Sequence, residues 1–190
     1  MSGTPTTVSP SGTKTALVPR ITTSAITINN LGTVRKLNSV IFPVKYSDSF
    51  YKSIVQPEVE DYCRLIYFND IPVGTTCSRI EKGSKEGESK LYMMTMGVLA
   101  PYRNFSIGTA ALDEIILAAS TPPPTIDAKH PRITHIYLHV QTSNTDARRF
   151  YEKCGFKVVS EVQEYYKRLE PRNAWLLEKE IAPPPPPDQP

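Results

Sequence analysis

Apolar residues recur along this chain at two spacings, three-to-four and two, and the switches between them outline the expected elements. In "INNLGTVRKLNSVIF", Leu31, Val34, Leu37, Val40 and Ile41 form a helical stripe. "RLIYFNDIPVGTTCSRI" is rich in β-branched and aromatic residues broken at Asn69-Asp70, which predicts two strands joined by a tight hairpin turn. "KLYMMTMGVL" predicts an apolar strand, with Gly97 as its bulge. A helix over about residues 107–119 and the strand "THIYLHVQ" follow. The next helix has Asn144 or Ser143 as its cap, Ala147, Phe150, Tyr151 and Cys154 on one face, and Gly155 as its stop. "KVVSEVQEYYKR" and "AWLLEKEI" predict closing strands. A helix, a hairpin and then β-α-β-α-β-β predict an α/β sandwich on a mixed central sheet flanked by helices.

Composition limits this picture at its ends. Of the first 19 residues, 13 are Ser, Thr, Pro or Gly, a mixture that cannot offset its ordering entropy by burial. Residues 1–20 are therefore expected to form a disordered tail, 21–182 a single domain, and 183–190 a proline-rich tail. The five prolines at 183–187 favour polyproline II, read here as a stiff solvated extension rather than a ligand for an aromatic groove. "STPPPTIDAKHP" (120–131) reads as a loop. The net charge of +3 is too small to argue for nucleic acid. Three cysteines with no CxxC pair disfavour a disulfide framework or a zinc site and suit a reducing compartment. No apolar run reaches membrane-spanning length and no secretory segment opens the chain. The first 47 residues lack Asp and Glu, as transit peptides do, but only Lys14 and Arg20 are basic before residue 21 and no amphipathic pattern is visible. The expected compartment is the cytoplasm, with the nucleus second.

One stretch carries chemistry by its local form. "APYRNFSIGTAAL" (100–112) takes a strand through a short turn into a helix, which exposes backbone N–H groups at the positive end of the helix dipole. That is an anion site, and Arg103 can add charge-assisted hydrogen bonds. The turn is too short for a P-loop and lacks the G-x-G-x-x-G spacing. On spacing alone, an ordinary βα turn with a surface Arg explains it as well. Tyr92 and His139 fall on expected neighbouring strands, where a satisfied core role is the simpler account. His135 and His139 are no metal pair, since four residues of strand separate them by roughly 13 Å, and no metal is expected.

Beyond the bare spacing, "LYMMTMGVLAPYRNFSIGT" resembles the central motif of the GNAT acetyltransferases, whose R/Q-x-x-G-x-G/A turn grips the pyrophosphate of acetyl-coenzyme A. "RKLNSVIFPVKY", "YLHVQTSNTDARRFYEKCGF" and "YYKRLEP" narrow the resemblance to the NatE-type protein N-terminal acetyltransferases, over about residues 26–181. It implies the GNAT fold, acetyl-CoA as cosubstrate, protein N-termini as acceptors, and the NatA complex and ribosome as partners. Tyr92 and His139 match the catalytic pair, which would hold a water that takes the proton of the amine. Met96, Val98, Arg103, Asn104, Phe105, Ser106, Ile107, Gly108, Thr109, Asn144 and Tyr151 would meet the cosubstrate, Tyr151 as proton donor to sulfur. Phe42, Pro43, Val44, Tyr46, Met94, Tyr165, Tyr166 and Leu169 would hold the peptide, whose first residue would be Met and second apolar. In a regular strand only one of Tyr165 and Tyr166 could line the pocket.

Ser106 departs from the family turn, which has Gly there. If residue 106 needs a positive φ, a Cβ costs roughly 1–2 kcal/mol. If it opens the helix with helical φ, Ser costs little. The turn into a helix favours the second case and a working cofactor site. Two alternatives stay open: a non-catalytic or weakly active subunit docking on NatA at the ribosome, and a GNAT enzyme with a lysine or small-amine acceptor. None of Cys63, Cys77 and Cys154 has a matched base, so direct transfer without a covalent enzyme intermediate is expected.

Overall fold

The computed structural model describes residues 19–83, 85–121 and 132–182. The expectations for the two tails and the loop therefore lie largely outside the described residues. Seven strands form one sheet in the order β1-β2-β3-β4-β5-β7-β6. They are β1 (Ile21–Ala25), β2 (Arg64–Phe68), β3 (Ile71–Lys82), β4 (Glu88–Val98), β5 (Arg132–Gln141), β6 (Lys157–Val162) and β7 (Ala174–Glu180). All neighbours are antiparallel except β4 and β5, so the sheet is mixed, as expected.

Helices α1 (Leu31–Ile41) and α2 (Asp48–Ser53) cover one face, here the front, where Val34, Leu37, Tyr51 and Ile54 pack with Leu65 and Cys77. Helices α3 (Ile107–Ser120) and α4 (Thr145–Lys153) cover the back, where Leu112, Ile115 and Tyr151 pack with Leu91, Met93, Leu138 and Leu177. The Asn69-Asp70 turn has φ of 48° and 66°, the two left-handed residues of a tight hairpin. Asn144 caps α4 by accepting from Ala147 N at 3.1 Å, and Gly155 ends it at φ 87°.

Four sequence expectations are corrected. Strand β1 and helix α2 were not foreseen, because a five-residue edge strand and a six-residue helix carry too little periodicity. On α1, Val40 is 62% exposed while Asn38 is buried, its Oδ1 accepting from Thr75 Oγ1 at 2.7 Å. The β4 bulge is not at Gly97. Cys77 pairs with Thr95 and Ser78 with Met93, leaving Met94 as the extra residue. Finally, β6 stops at Val162, so Tyr165 and Tyr166 lie on the β6–β7 loop and strand alternation does not govern them.

Candidate active site

The parallel β4–β5 ladder runs from Glu88 opposite Arg132 only to Tyr92 opposite Tyr137. Beyond it β4 continues to Val98 and β5 to Gln141 without pairing each other, so the sheet forks. Backbone groups that a continuous ladder would use face this fork instead, ready for an extended ligand. His139 sits two residues past the last pair, at the mouth of the fork.

The bulge decides which side chains face the front. Tyr92 and Met94 lie on that side, and so do Thr95 and Gly97 once Met94 has shifted the alternation. Met96 and Val98 turn to the back, towards α3 and α4. Gly97 is needed for close approach. A Cβ there would stand 2.4 Å from Ile41 Cγ2 and 2.9 Å from Phe42 Cζ, so α1 could not deliver the Phe42-Pro43-Val44 segment in its present place. Phe42 leaves the helix with φ −115° and ψ 140°, the extended form a following proline demands.

On the front face aromatic rings enclose His139. Tyr165 stacks on its imidazole at 4.1 Å and 14°. Tyr92 stands edge-on at 5.6 Å and 84°, and its hydroxyl is hydrogen-bonded to that of Tyr165. Tyr137 stacks on Tyr92 at 4.8 Å and lies 6.1 Å from His139. Tyr166 meets Tyr165 edge-on at 4.8 Å, and Tyr46 links Phe42 at 6.0 Å to Phe50 at 4.4 Å. Leu169 is half-buried on the same loop as the tyrosine pair. The front-face rings thus form two groups, one of Tyr92, Tyr137, His139, Tyr165 and Tyr166 and one of Phe42, Tyr46 and Phe50, and Tyr165 and Tyr166 both belong to the first.

Protonation states follow from burial. Desolvation pulls His139 below the usual imidazole value, opposed in part by the Glu81 carboxylate. Among the described residues its buried Nδ1 has no hydrogen-bond partner. Burial thus favours the neutral imidazole. Desolvation first pushes Tyr92 and Tyr46 well above the ordinary phenol range and Tyr166 up to about 12, with the Tyr165 hydroxyl second for Tyr92 and Tyr166 and the Cys77 thiol second for Tyr46. These hydroxyls stay protonated as donors. Tyr151 is buried between Phe150 and Phe156, and desolvation likewise keeps its proton on. Burial also raises Cys77, to about 11, and Cys63, so neither thiol is a ready nucleophile.

At the other end of the fork lies the turn from β4 to α3. Ser106 caps α3 with φ 58° and ψ 14°, in the left-handed region. The expected helical φ is wrong, and Asn104 shares the feature at φ 68°. Two left-handed residues around Phe105 close the turn tightly enough that α3 starts at once. Ala110 N makes the first helical bond, to Ser106 O at 3.0 Å, so the N–H groups of Ile107, Gly108 and Thr109 have no helical acceptor. Arg103 lies across the turn with Nε donating to Val98 O at 3.1 Å, which leaves its terminal nitrogens for an anion. Phe105 packs on Phe68 at 5.1 Å and remains 50% exposed. Ile107 is buried, Thr109 exposed, and Gly108 faces Phe150 and Met96. Asn144 spends its side-chain oxygen on the α4 cap.

Arg79, Glu81, Tyr137 and Phe50 also border the cluster, although sequence reasoning did not select them. Tyr137 was readable, because it alternates with His139 in "IYLHV" and so shares its face.

A forked mixed sheet with free N–H groups of a helix start at one end and a tyrosine-enclosed imidazole at the other has the form of an acyl-CoA-dependent acetyltransferase. Residues 31–156 match the acetyltransferase (GNAT) family. The chain is 41% identical to N-alpha-acetyltransferase 50 of Danio rerio over 87% of its own length and 91% of the relative's. It is 40% identical to the probable N-acetyltransferase san of Drosophila melanogaster, over 82% and 78% respectively. Among solved structures, Arabidopsis thaliana Naa50 bound to the bisubstrate analogue CoA-Ac-MVNAL aligns at 36% identity and TM-score 0.73, covering 84% of this chain and 97% of that one. The chain belongs to the GNAT acetyltransferase family, in its branch of N-terminal protein acetyltransferases.

Proposed function

We propose that this acetyltransferase moves acetyl from acetyl-CoA to the α-amine of proteins that begin with Met followed by an apolar residue. The observation that carries the reading is the neutral His139 at the mouth of the fork, stacked by Tyr165 and edged by Tyr92. The neighbouring Phe42-Pro43-Val44 segment and Met94 offer an apolar wall for a first side chain, and the Arabidopsis relative's bisubstrate analogue begins Met-Val.

Arg103 and the free N–H groups of Ile107, Gly108 and Thr109 would hold the pyrophosphate, with Met96 and Val98 on the β4 edge and Asn144 and Tyr151 on α4 along the rest of the cosubstrate. Acetyl-CoA supplies the thioester. The remaining chemistry is proton handling. An α-amine has a pKa near 7.7–8.0, so at neutral pH it must lose one proton to become nucleophilic. His139, through a water shared with Tyr92, takes it. Tyr46, Tyr165, Tyr166 and Leu169 orient the peptide, and Tyr151 returns a proton to the leaving sulfur. The tyrosine enclosure suits a short α-amine better than a lysine arm, whose pKa near 10.4 would also ask more of the base.

The test is steady-state acetylation of Met-Leu peptides against Ser-Leu peptides and an N-terminally blocked peptide with one lysine. Strong preference for Met-Leu is expected. Equal rates on the blocked peptide would replace this reading with a lysine acceptor. The same reading carries the NatA complex at the ribosome as partner and the cytoplasm as compartment. Cosedimentation of the full chain with ribosomes only when NatA is present checks the partner.

A further inference from the structure

Beside the aromatic cluster lies a carboxylate that the proposed proton path does not use. Arg79, Tyr92 and Tyr137 are register partners on β3, β4 and β5, a row of three across the front face. The Arg79 guanidinium lies 4.8 Å from the Tyr92 ring centre, and Tyr137 stacks on that ring at 4.8 Å and 19°. Both flanking groups bond to Glu81. Arg79 Nε donates to Oε1 at 2.7 Å, and the Tyr137 hydroxyl donates to Oε2. One carboxylate therefore ties together the two groups that hold the Tyr92 ring.

We propose that Glu81 is a positioning residue for the transfer, fixing the Tyr92 ring through Arg79 and Tyr137 and supplying a fixed negative charge beside His139. The inference rests on the reading of Tyr92 and His139 as the proton-handling pair. The groups that face His139 bear it out by elimination. Around it stand Tyr92 from β4, Tyr137 from β5 and Tyr165 from the β6–β7 loop, with Tyr166 against Tyr165, while Lys90, His135 and Glu178 lie farther along the strands. Lys90 and Glu178 pair with each other at 2.8 Å. From β3 come Arg79 and Glu81, and Glu81 is the anion whose field raises the imidazole against the effect of burial. Burial alone would leave His139 a weaker proton acceptor, and Glu81 restores part of its basicity. Its side chain is 33% exposed, so solvent screens the effect and the replaced residue leaves no buried hole.

Glu81→Gln keeps the shape and removes the charge. The chain has three histidines, and NMR titration of the imidazole signal lost in His139→Phe reads His139 directly. In Glu81→Gln its midpoint should fall, because an anion that favoured the protonated ring is gone. In the same variant kcat on a Met-Leu peptide should drop about tenfold from looser positioning, with the acetyl-CoA KM within about twofold. Glu81→Asp should recover part of both effects. A midpoint that stays in place, or an unchanged kcat, overturns the proposal. A wild-type chain that acetylates no N-terminal peptide refutes the functional reading instead, and the titration still reads the Glu81–His139 coupling by itself.

Discussion

Replacing Ser106 by Gly should stabilise the chain while leaving acetyl-CoA affinity almost unchanged. Ser106 sits at φ 58° and ψ 14°. A Cβ in this region costs roughly 1–2 kcal/mol. Glycine removes that strain but adds about 0.5–1 kcal/mol of unfolded-state entropy. The net gain is about 0.5–1 kcal/mol, or roughly 1–4 °C in melting temperature for a chain of this size. We take the turn to hold this conformation with and without ligand, so its strain cancels from the binding equilibrium. The dissociation constant should therefore move by less than about twofold, which is below 0.4 kcal/mol. Thermal denaturation and calorimetric titration of wild type and Ser106→Gly measure the two quantities. A tenfold gain in affinity with an unmoved melting temperature would refute the reasoning, since it would mean that the left-handed turn forms only around the ligand. Ser106→Ala supplies the control. It keeps the strain and loses the hydroxyl, so any loss of affinity there belongs to an oxygen contact with phosphate.

Four further outcomes are expected. Arg103→Ala should raise the acetyl-CoA dissociation constant about tenfold, for one charge-assisted contact to an anion, with peptide specificity unchanged by competition assay. Gly97→Ala should destabilise by about 1–3 kcal/mol through overpacking and raise the peptide KM more than the acetyl-CoA KM, because the added Cβ meets Ile41 and Phe42. With His139 pulled below the usual imidazole range, the midpoint of the acid limb of a kcat–pH profile at saturating peptide should lie below that range; a midpoint above pH 7 would contradict a neutral buried base. A chain cut to residues 20–182 should keep wild-type kcat in the same assay, and a large loss would show that the domain limits are wrong.

Much of this fold was legible because its longer elements obey one period each. The Asn69-Asp70 turn, the Asn144 cap and the Gly155 stop each rest on a local backbone preference that one or two residues decide, and the structure has all three. What escaped was decided by tertiary contact. Asn38 reads as a polar position on α1, yet it is buried because Thr75 of β3 supplies a donor to its side chain. Val40 reads as part of the apolar stripe, yet it stays exposed. A helical period locates a stripe only to within a residue, and the partner surface settles which residues lie in it.

The candidate site was harder to read for a more particular reason, the bulge at Met94. Strict alternation from Tyr92 would put Met94 and Met96 on the same face and Thr95 on the other. With one extra residue on β4, Met94 and Thr95 both meet the front layer while Met96 turns to Phe150 and Gly108 at the back. A single strand can then present Met94 on the proposed acceptor side and Met96 and Val98 on the proposed cosubstrate side, within five positions. The same insertion lies just past the last β4–β5 pair, where the strands part. Bulges bend and twist a strand, so one irregularity accounts for the change of face and favours the opening of the fork. Gly97, which looked like the cause, answers a separate demand, room for Phe42 from α1. Deleting Met94 would leave Thr95 opposite Cys77 and Met93 opposite Ser78, so pairing becomes regular while the later side chains of β4 keep their faces. Such a chain loses the front-face Met94 and the bend of the bulge, so its peptide KM should rise more than its acetyl-CoA KM.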